Sequence, residues 1–495
     1  MKKFSFWIGK VLAALLACSG AALILCVAKL QMLPAAAYVI AAEVVLILAG
    51  LVLFLTWNGK GKGKMITGIT LAVIFILLFS AITGYVWRGL QAFDNISGSS
   101  TETVHVGIYV RADDGNDYDS VAAQYTYGIL QTIDRESTDK ALQELKNSLG
   151  TAVTCKEYPN PALLVDALLD GQVDAIILNE AFLHMLEEIP GYGEKLSQIR
   201  EAVLHKVEIE RPTDEIPVSS DTATDENPNE PPKPQQDEKA FILYISGIDA
   251  NGRATYRSRS DVNILAVVNP NTRQILLVST PRDYFVPLSV SNGVRDKLTH
   301  AGNFGVKVSR DTMAMLYDVN IDYYFKVNFS GFKNIINALG GVTVNSEVSF
   351  SRFGYNFVKG ANEMNGDMAL VFCRERYSFA GGDRQRGRNQ MAMIKGVLDK
   401  AMSPALLTNY AEVLKSIEDN FETNVPISVI GELVASQLKD NRAWNVQSCS
   451  VDGTGDYQIP YSMGQEVYVM WPNEDTLNRA KALIQSVLVG EIPQV

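Results

Sequence analysis

The pattern of apolar and polar positions divides the chain sharply. Three apolar runs open it, near Trp7–Ala28, Ala35–Thr56 and Met65–Val86. Each has about the twenty residues that a bilayer-spanning helix needs. Apart from Lys10 and Glu43 the runs carry no charged residue, which argues against a channel or transporter. No cleavage site follows the first run, and two more runs come after it, so the pattern predicts three transmembrane helices rather than a signal peptide.

After about residue 100 the pattern becomes α/β. Val104–Val110 alternates like a strand. Ala122–Asp134 and Thr138–Leu149 read as helices, Ala152–Tyr158 as a strand, Pro161–Asp170 as a helix ended by Gly171, and Val173–Leu178 as a buried strand. Glu208–Ala240 is rich in Pro, Asp, Glu, Ser and Thr with few large apolar residues, the composition of an extended linker. A second α/β pattern begins at Phe241. Phe241–Ser246 is a strand, and Asn263–Asn269 and Gln274–Thr280 form a hairpin turned at Pro270-Asn271. Met313–Leu316, Phe332–Leu339 and Met391–Lys400 read as helices, and Tyr323–Asn328 and Val342–Val344 as strands. The tail reads as a helix over Tyr410–Leu438, a strand near Trp444–Val451 and a helix over Thr476–Leu488. The expected organisation is membrane helices over 1–92, a small accessory α/β domain over 103–206, a linker over 207–239 and a larger α/β domain over 240–495. The acidic linker predicts few contacts between the two α/β domains.

Lysine placement sets the expected orientation. Lys2, Lys3 and Lys10 lie at the start of the first run, and Lys60, Lys62 and Lys64 lie between the second and third. Only Lys29 lies between the first and second. The positive-inside rule then puts both clusters in the cytoplasm and everything after about Gln91 outside the cell.

With 55 acidic against 44 basic side chains the chain has a net charge of −11, which argues against nucleic-acid binding. The five cysteines form no CxxC pair, and the four histidines show no metal-ligand spacing. Cys373 and Cys449 fall in stretches that both read as strands, so a disulfide between them is one reading and two separate thiols the other.

One stretch reverses the charge. Between Phe372 and Gln390 lie Arg374, Arg376, Arg384, Arg386 and Arg388. Ala369–Tyr377 reads as a strand, which would put Arg374 and Arg376 on one face and Cys373 on the other. From about Asp383 a helix is expected, with Arg386 and Gln390 four apart on one face. Forked donors on a strand and at a helix start suit phosphate oxygens. The alternative is that Glu375 and Asp383 pair with these arginines on a solvated surface.

An ordered set of motifs extends the argument. Gly247-Ile-Asp249, Arg259-Ser-Asp261, Ser279-Thr-Pro-Arg-Asp283, Asp296-Lys-Leu-Thr-His-Ala301, Asn328-Phe-Ser-Gly331, Leu339-Gly-Gly341, Arg374-Glu-Arg376, and Gly382-Asp383 with Arg386 and Asn389-Gln390 follow one another along the chain. In this order they resemble the LytR-CpsA-Psr family of cell-wall ligases, and the three spans with an accessory domain resemble its CpsA-like branch. The resemblance implies an α-β-α domain with a mixed central sheet enclosing an apolar tunnel. It implies transfer of a glycan phosphate from a polyprenyl-pyrophosphate carrier to peptidoglycan. In that role Asp249 and Asp261 hold Mg2+ (or Mn2+ in its place), since hard cations take carboxylate oxygens beside phosphate. Arg374, Arg376 and Arg386 neutralise the diphosphate, Arg259, Arg282 and Lys297 extend the clamp, and Gln390 orients the substrate. Asp383 acts as a base or holds the arginines. His300 is read as structural. Each residue also has an ordinary reading: turn residues at Asp249 and Asp261, a helix cap at Asp283, a surface lysine at Lys297. The rival functions are a hydrolase of the same lipid pyrophosphate, a non-catalytic glycan binder, and a membrane-bound regulator of envelope synthesis. No P-loop, GxSxG or HExxH motif is present.

Overall fold

The computed structural model describes residues 2–29, 35–57, 62–97, 101–210, 239–248, 256–403, 421–440 and 442–494. It divides into two units. The first contains the three apolar helices Lys2–Ala28, Ala35–Trp57 and Lys62–Ser97, each holding a span long and apolar enough to cross a membrane, and the later helix Ile427–Asp440. The three long helices pack on one another through Ala13, Leu16, Ala49, Val52 and Ala72. Their outward positions, among them Leu25, Leu46, Ile47 and Leu77, are exposed apolar side chains. A surface of that kind matches lipid rather than water.

The second unit holds both α/β portions. The smaller is a five-stranded mixed sheet in the order Thr154–Tyr158, Thr126–Leu130, Ala175–Asn179, Thr101–Arg111, Ile199–Glu210. Residues 207–210, assigned to the linker from composition, complete its last strand, with Glu210 opposite Thr101. The rest of the expected linker, 211–238, lies outside the described residues. Ala122–Asp134 is not the expected helix. A short helix at Tyr118–Val121 and a 3-10 turn lead into the buried strand Thr126–Leu130. Tyr127, Ile129 and Leu130 are covered there on both faces, so period-two alternation is lost and the run mimics a helix.

The larger portion is a six-stranded sheet in the order Phe421–Thr423, Tyr323–Asn328, Phe241–Ile248, Ser260–Asn269, Gln274–Thr280, Asn445–Ser450. Three of its strand pairs are antiparallel and two are parallel, so the sheet is mixed, as expected. Phe421–Thr423 is an edge strand where a helix was expected. The helix nearby spans Ile427–Asp440, and residues 404–420 lie outside the described set. One sheet face is closed by the helices Val306–Tyr317 and Glu474–Leu488 over Tyr244, Leu265, Val278, Met313 and Ile484. On the other face Met391, from the helix Asp383–Ala401, meets Ile264 and Leu277, and Phe241, Leu243 and Ile245 stay half-buried.

The expectation of few contacts between the two α/β portions does not hold. Met463, Val467, Tyr461 and Phe304 of the larger portion pack into the core of the smaller, against residues such as Leu164, Phe182 and Met185. Arg257 Nε lies 2.8 Å from Glu102, and the backbone of Thr103 bridges Tyr256. Linker composition says nothing about which surfaces meet once the chain folds back.

Candidate active site

The strand Ser260–Asn269 begins in a buried polar knot. Tyr244 OH donates to Asn263 Oδ1 at 2.6 Å, and the hydroxyls of Ser246 and Ser260 lie 2.8 Å apart. Buried hydroxyls must be satisfied, so this knot fixes where the strand starts. Arg259 and Asp261 flank Ser260 and are placed by it. Gly302, in the turn Leu298–Phe304, lets that turn close on the strand start. A Cβ at Gly302 would lie 2.3 Å from Ser258 O and 2.6 Å from Ser260 N.

Asp261 accepts from Arg282 Nη1 at 2.8 Å and from Thr299 Oγ1 at 3.1 Å. Burial opposes its charge, but Arg282, Arg259 and Arg386 together outweigh burial and hold the carboxyl below its ordinary range. Arg282 also faces Glu188 at 3.8 Å and Asp283 at 3.7 Å. Lys297, buried, bridges Glu188 at 2.6 Å and Asp283 at 2.7 Å. It is not a surface lysine, and Asp283 caps no helix, since a turn and the strand Phe285–Pro287 follow it. Asp296 fixes this segment by accepting from Lys297 N at 2.7 Å and Ser462 N at 2.8 Å, and it pairs with the fully buried His300 at 2.7 Å. His300, read from the sequence as structural, is enclosed in the fold beside Asp296.

The arginine-rich stretch departs from its expected form. Gly366–Arg374 is a helix, not a strand, capped by Asn365, which accepts from Met368 N at 3.0 Å. Its buried residues Gly366, Ala369 and Phe372 recur every three positions, the period of a helix face. The chain turns extended at Glu375, so Arg374 ends the helix and Arg376 follows two residues on. Arg374 stacks over Phe329 at 4.3 Å, and Arg376 over Tyr377 at 4.8 Å. Cys373 lines the cleft rather than facing away from it. Burial pushes its thiol well above the ordinary value, which removes the thiolate a nucleophile needs. Cys373 and Cys449 are both free, so the structure carries no disulfide between them. Cys449 lies in an edge strand beside Val278, and Cys373 in a helix.

The helix Asp383–Ala401 forms as expected. Its period sorts the remaining arginines. Arg386 and Gln390, four apart, line the cleft. Arg384 and Arg388 point elsewhere, to Asp452 at 2.6 Å and Glu347 at 2.9 Å. Asp383 pairs with Arg386, and burial, the largest influence, moves that guanidinium below its ordinary value. Glu375 pairs with Arg352 at 2.9 Å rather than with a cleft arginine. Gln390 Nε2 donates to Cys373 O at 3.3 Å, tying the two helices together.

A cleft of about 410 Å3 is the result. Arg259, Asp261, Arg282, Arg374, Arg376, Arg386 and Gln390 all line it, drawn from four separate stretches of sequence. Lys297 reaches its edge through Glu188, and Asp383 through Arg386. Asp249, the second expected carboxylate, lies outside the described residues. Among the described residues no group of three or more His, Cys, Asp or Glu gathers as a metal site. Mg2+ bound beside phosphate takes only one or two carboxylates, and Asp261 is a carboxylate that lines the cleft, with Oδ1 already accepting from Arg282 and Thr299. The sequence reading missed Glu188, which lies in the Glu187-Glu188-Ile189-Pro190 turn of the smaller portion, 71 residues from its partner Arg259. No local motif marks it.

A profile of the LytR_cpsA_psr family matches residues 205–482, more than half of the chain. The chain is 37% identical over 188 residues to polyisoprenyl-teichoic acid–peptidoglycan teichoic acid transferase TagU of Enterococcus faecalis, covering 37% of this chain and 61% of that protein. With TagU of Bacillus licheniformis the identity is 34% over 228 residues, 46% of this chain and 73% of that one. The crystal structure of B. subtilis TagU is matched at 29% identity and a TM-score of 0.41, over 52% of this chain and all of that one. By the family profile and its relatives, the chain belongs to the LytR_cpsA_psr family.

Proposed function

We propose that this chain is a membrane-anchored phosphotransferase. It moves a glycan phosphate from a polyprenyl-pyrophosphate carrier to peptidoglycan, with the α/β portions outside the cell. The observation that carries the reading is the convergence of Arg259, Arg282, Arg374, Arg376 and Arg386 with Asp261 on one cleft. A partly buried cationic cleft in an otherwise acidic protein selects a compact polyanion. TagU relatives are named as transferases of polyisoprenyl-linked teichoic acid to peptidoglycan.

Phosphoryl transfer needs little covalent help from protein. Positioning and charge stabilisation supply most of the catalysis. Arg374, Arg376 and Arg386 bind the diphosphate oxygens and take up the negative charge that moves to the leaving lipid phosphate. Arg282, held by Asp261, lines the same cleft. Asp383 holds Arg386 in place and is not needed as a base in this scheme. Gln390, one turn beyond Arg386, orients the phosphate. Asp261, with Asp249, would hold a divalent cation, which supplies further neutralisation of the diphosphate when bound. The half-buried apolar row Phe241, Leu243 and Ile245 gives a prenyl tail a surface on the same sheet.

The test is release of lipid phosphate from a prenyl-pyrophosphate donor by the purified full chain in detergent, with and without Mg2+ and a peptidoglycan acceptor. Acceptor-dependent release that disappears in Asp261→Ala is expected. Release equally fast into water alone would make the protein a hydrolase of the same lipid.

A further inference from the structure

We propose that Glu188, carried by the smaller α/β portion, is a positioning residue of the transfer site, which is incomplete without that portion. The inference rests on the reading of the cleft given above and assigns a role to a residue from outside the family motifs.

Glu188 directly follows the helix Glu180–Leu186 and its cap Glu187, and its backbone N–H donates to Met185 O at 3.0 Å. Met185 and Leu186 before it and Ile189 after it are buried in the core of the smaller portion. The backbone is therefore anchored on both sides, and the carboxylate has little freedom of direction. It projects into the cleft wall. One oxygen lies 2.7 Å from Arg259 Nη1 and the other 2.6 Å from Lys297 Nζ, with Arg282 Nη2 at 3.8 Å. All three cations belong to the larger portion. The carboxylate is only 17% exposed. Burial opposes its charge, yet Lys297, His300 and Arg282 together bring its pKa down to about 2, so it stays ionised and paired.

The arrangement has a chemical consequence. A guanidinium and an ammonium gripped by one fixed carboxylate keep their positions before any substrate arrives. Preorganised charge of this kind costs no reorganisation when negative charge moves in the transition state. Glu188 also offsets part of the cationic excess. Six cations (Arg259, Arg282, Lys297, Arg374, Arg376, Arg386) face five carboxylates (Glu187, Glu188, Asp261, Asp283, Asp383) at the cleft and its edge.

The experiment uses the full chain in detergent with Mg2+ and a peptidoglycan acceptor, and with geranylgeranyl pyrophosphate as both phosphoryl donor and diphosphate probe. Both kcat for release of geranylgeranyl phosphate and probe affinity are measured for Glu188→Gln, Glu188→Asp, Arg259→Gln, Asp261→Ala and the double variant Glu188→Gln/Arg259→Gln. Loss of a group that holds others in place typically costs about 10- to 100-fold. That loss is expected in kcat for Glu188→Gln, with probe affinity changed less than about threefold. Glu188→Asp, one methylene short but still charged, falls between the parent and Glu188→Gln. Because Glu188 acts in part through Arg259, the double variant is expected to lose less than the product of the two single losses. Unchanged kcat, additive losses, or tighter probe binding at full kcat each overturn the proposal. The last outcome would make Glu188 a competitor for the phosphate position. Should Glu188→Gln fail to fold, Glu188→Asp is held to the same split between kcat and affinity. If Asp261→Ala is as active as the parent, the reading of the cleft itself fails, and this role for Glu188 with it. Loss in Asp261→Ala beside an unaffected Glu188→Gln defeats only the proposal made here.

Discussion

Gln390 sits one helical turn beyond Arg386, and both side chains line the same cleft, while Arg384 and Arg388 on the same helix pair with Asp452 and Glu347 away from it. One helix thus divides four polar side chains between a site and a solvated surface. The division predicts opposite results from similar substitutions. Arg374→Ala and Arg386→Ala are expected to lower kcat for lipid-phosphate release by on the order of 100-fold, the usual loss when a charge-stabilising donor is removed. Arg384→Ala and Arg388→Ala should leave activity intact and cost less than about 1 kcal/mol of stability, as exposed ion pairs do. Equal losses from all four would place the site elsewhere.

The shared core between the two α/β portions predicts that residues 241–495 do not behave as an independent unit. Expressed alone, that fragment leaves Met463, Val467, Tyr461 and Phe304 without the cover they have in the whole chain. Aggregation is the expected outcome, read by size-exclusion chromatography, with residues 99–495 staying monodisperse. A soluble, cooperatively melting 241–495 fragment would mean that the contact surface is dispensable.

Acid should act through Glu188. Its pKa in the folded protein is about 2, below the ordinary carboxylate value of 4.5. A carboxyl depressed by folding stabilises the protein above its unfolded value and loses that contribution as pH falls through the folded one. The Glu188 contribution is therefore complete above about pH 4.5 and fades toward pH 2. Thermal midpoints measured across this window should fall more steeply for the parent than for Glu188→Gln. Parallel curves would show that the ion pairs do not couple to folding.

Orientation is testable in cells. The lysine clusters predict that the segment near Ser219 faces the outside. A cysteine introduced there should react with an impermeant thiol reagent on intact cells, above the background of the native thiols. Labelling only after lysis would invert the topology.

The sequence by itself determined the elements whose signal is local. Three apolar runs of bilayer length gave three helices of that length, because a spanning helix needs little more than continuous hydrophobicity. The hairpin at Pro270-Asn271 and the Arg386–Gln390 face were legible because turn chemistry and the 3.6-residue period act over a few residues. The ordered motifs marked most of the cleft, since each motif is itself a short stretch. Tertiary structure alone decided the rest. Val371, Phe372 and Cys373 look like strand residues, but the Asn365 cap and the packing of Ala369 and Phe372 make them a helix. Thr126–Leu130 becomes a strand because it pairs with a strand on each side and is packed on both faces. Cys373 and Cys449 stay apart because one lies in a helix and the other in an edge strand. Glu188 enters the site only because the smaller portion docks on the larger, joining residues 71 and 109 positions apart. Pairings of that kind arise when surfaces meet in space, and residue spacing along the chain carries no trace of them.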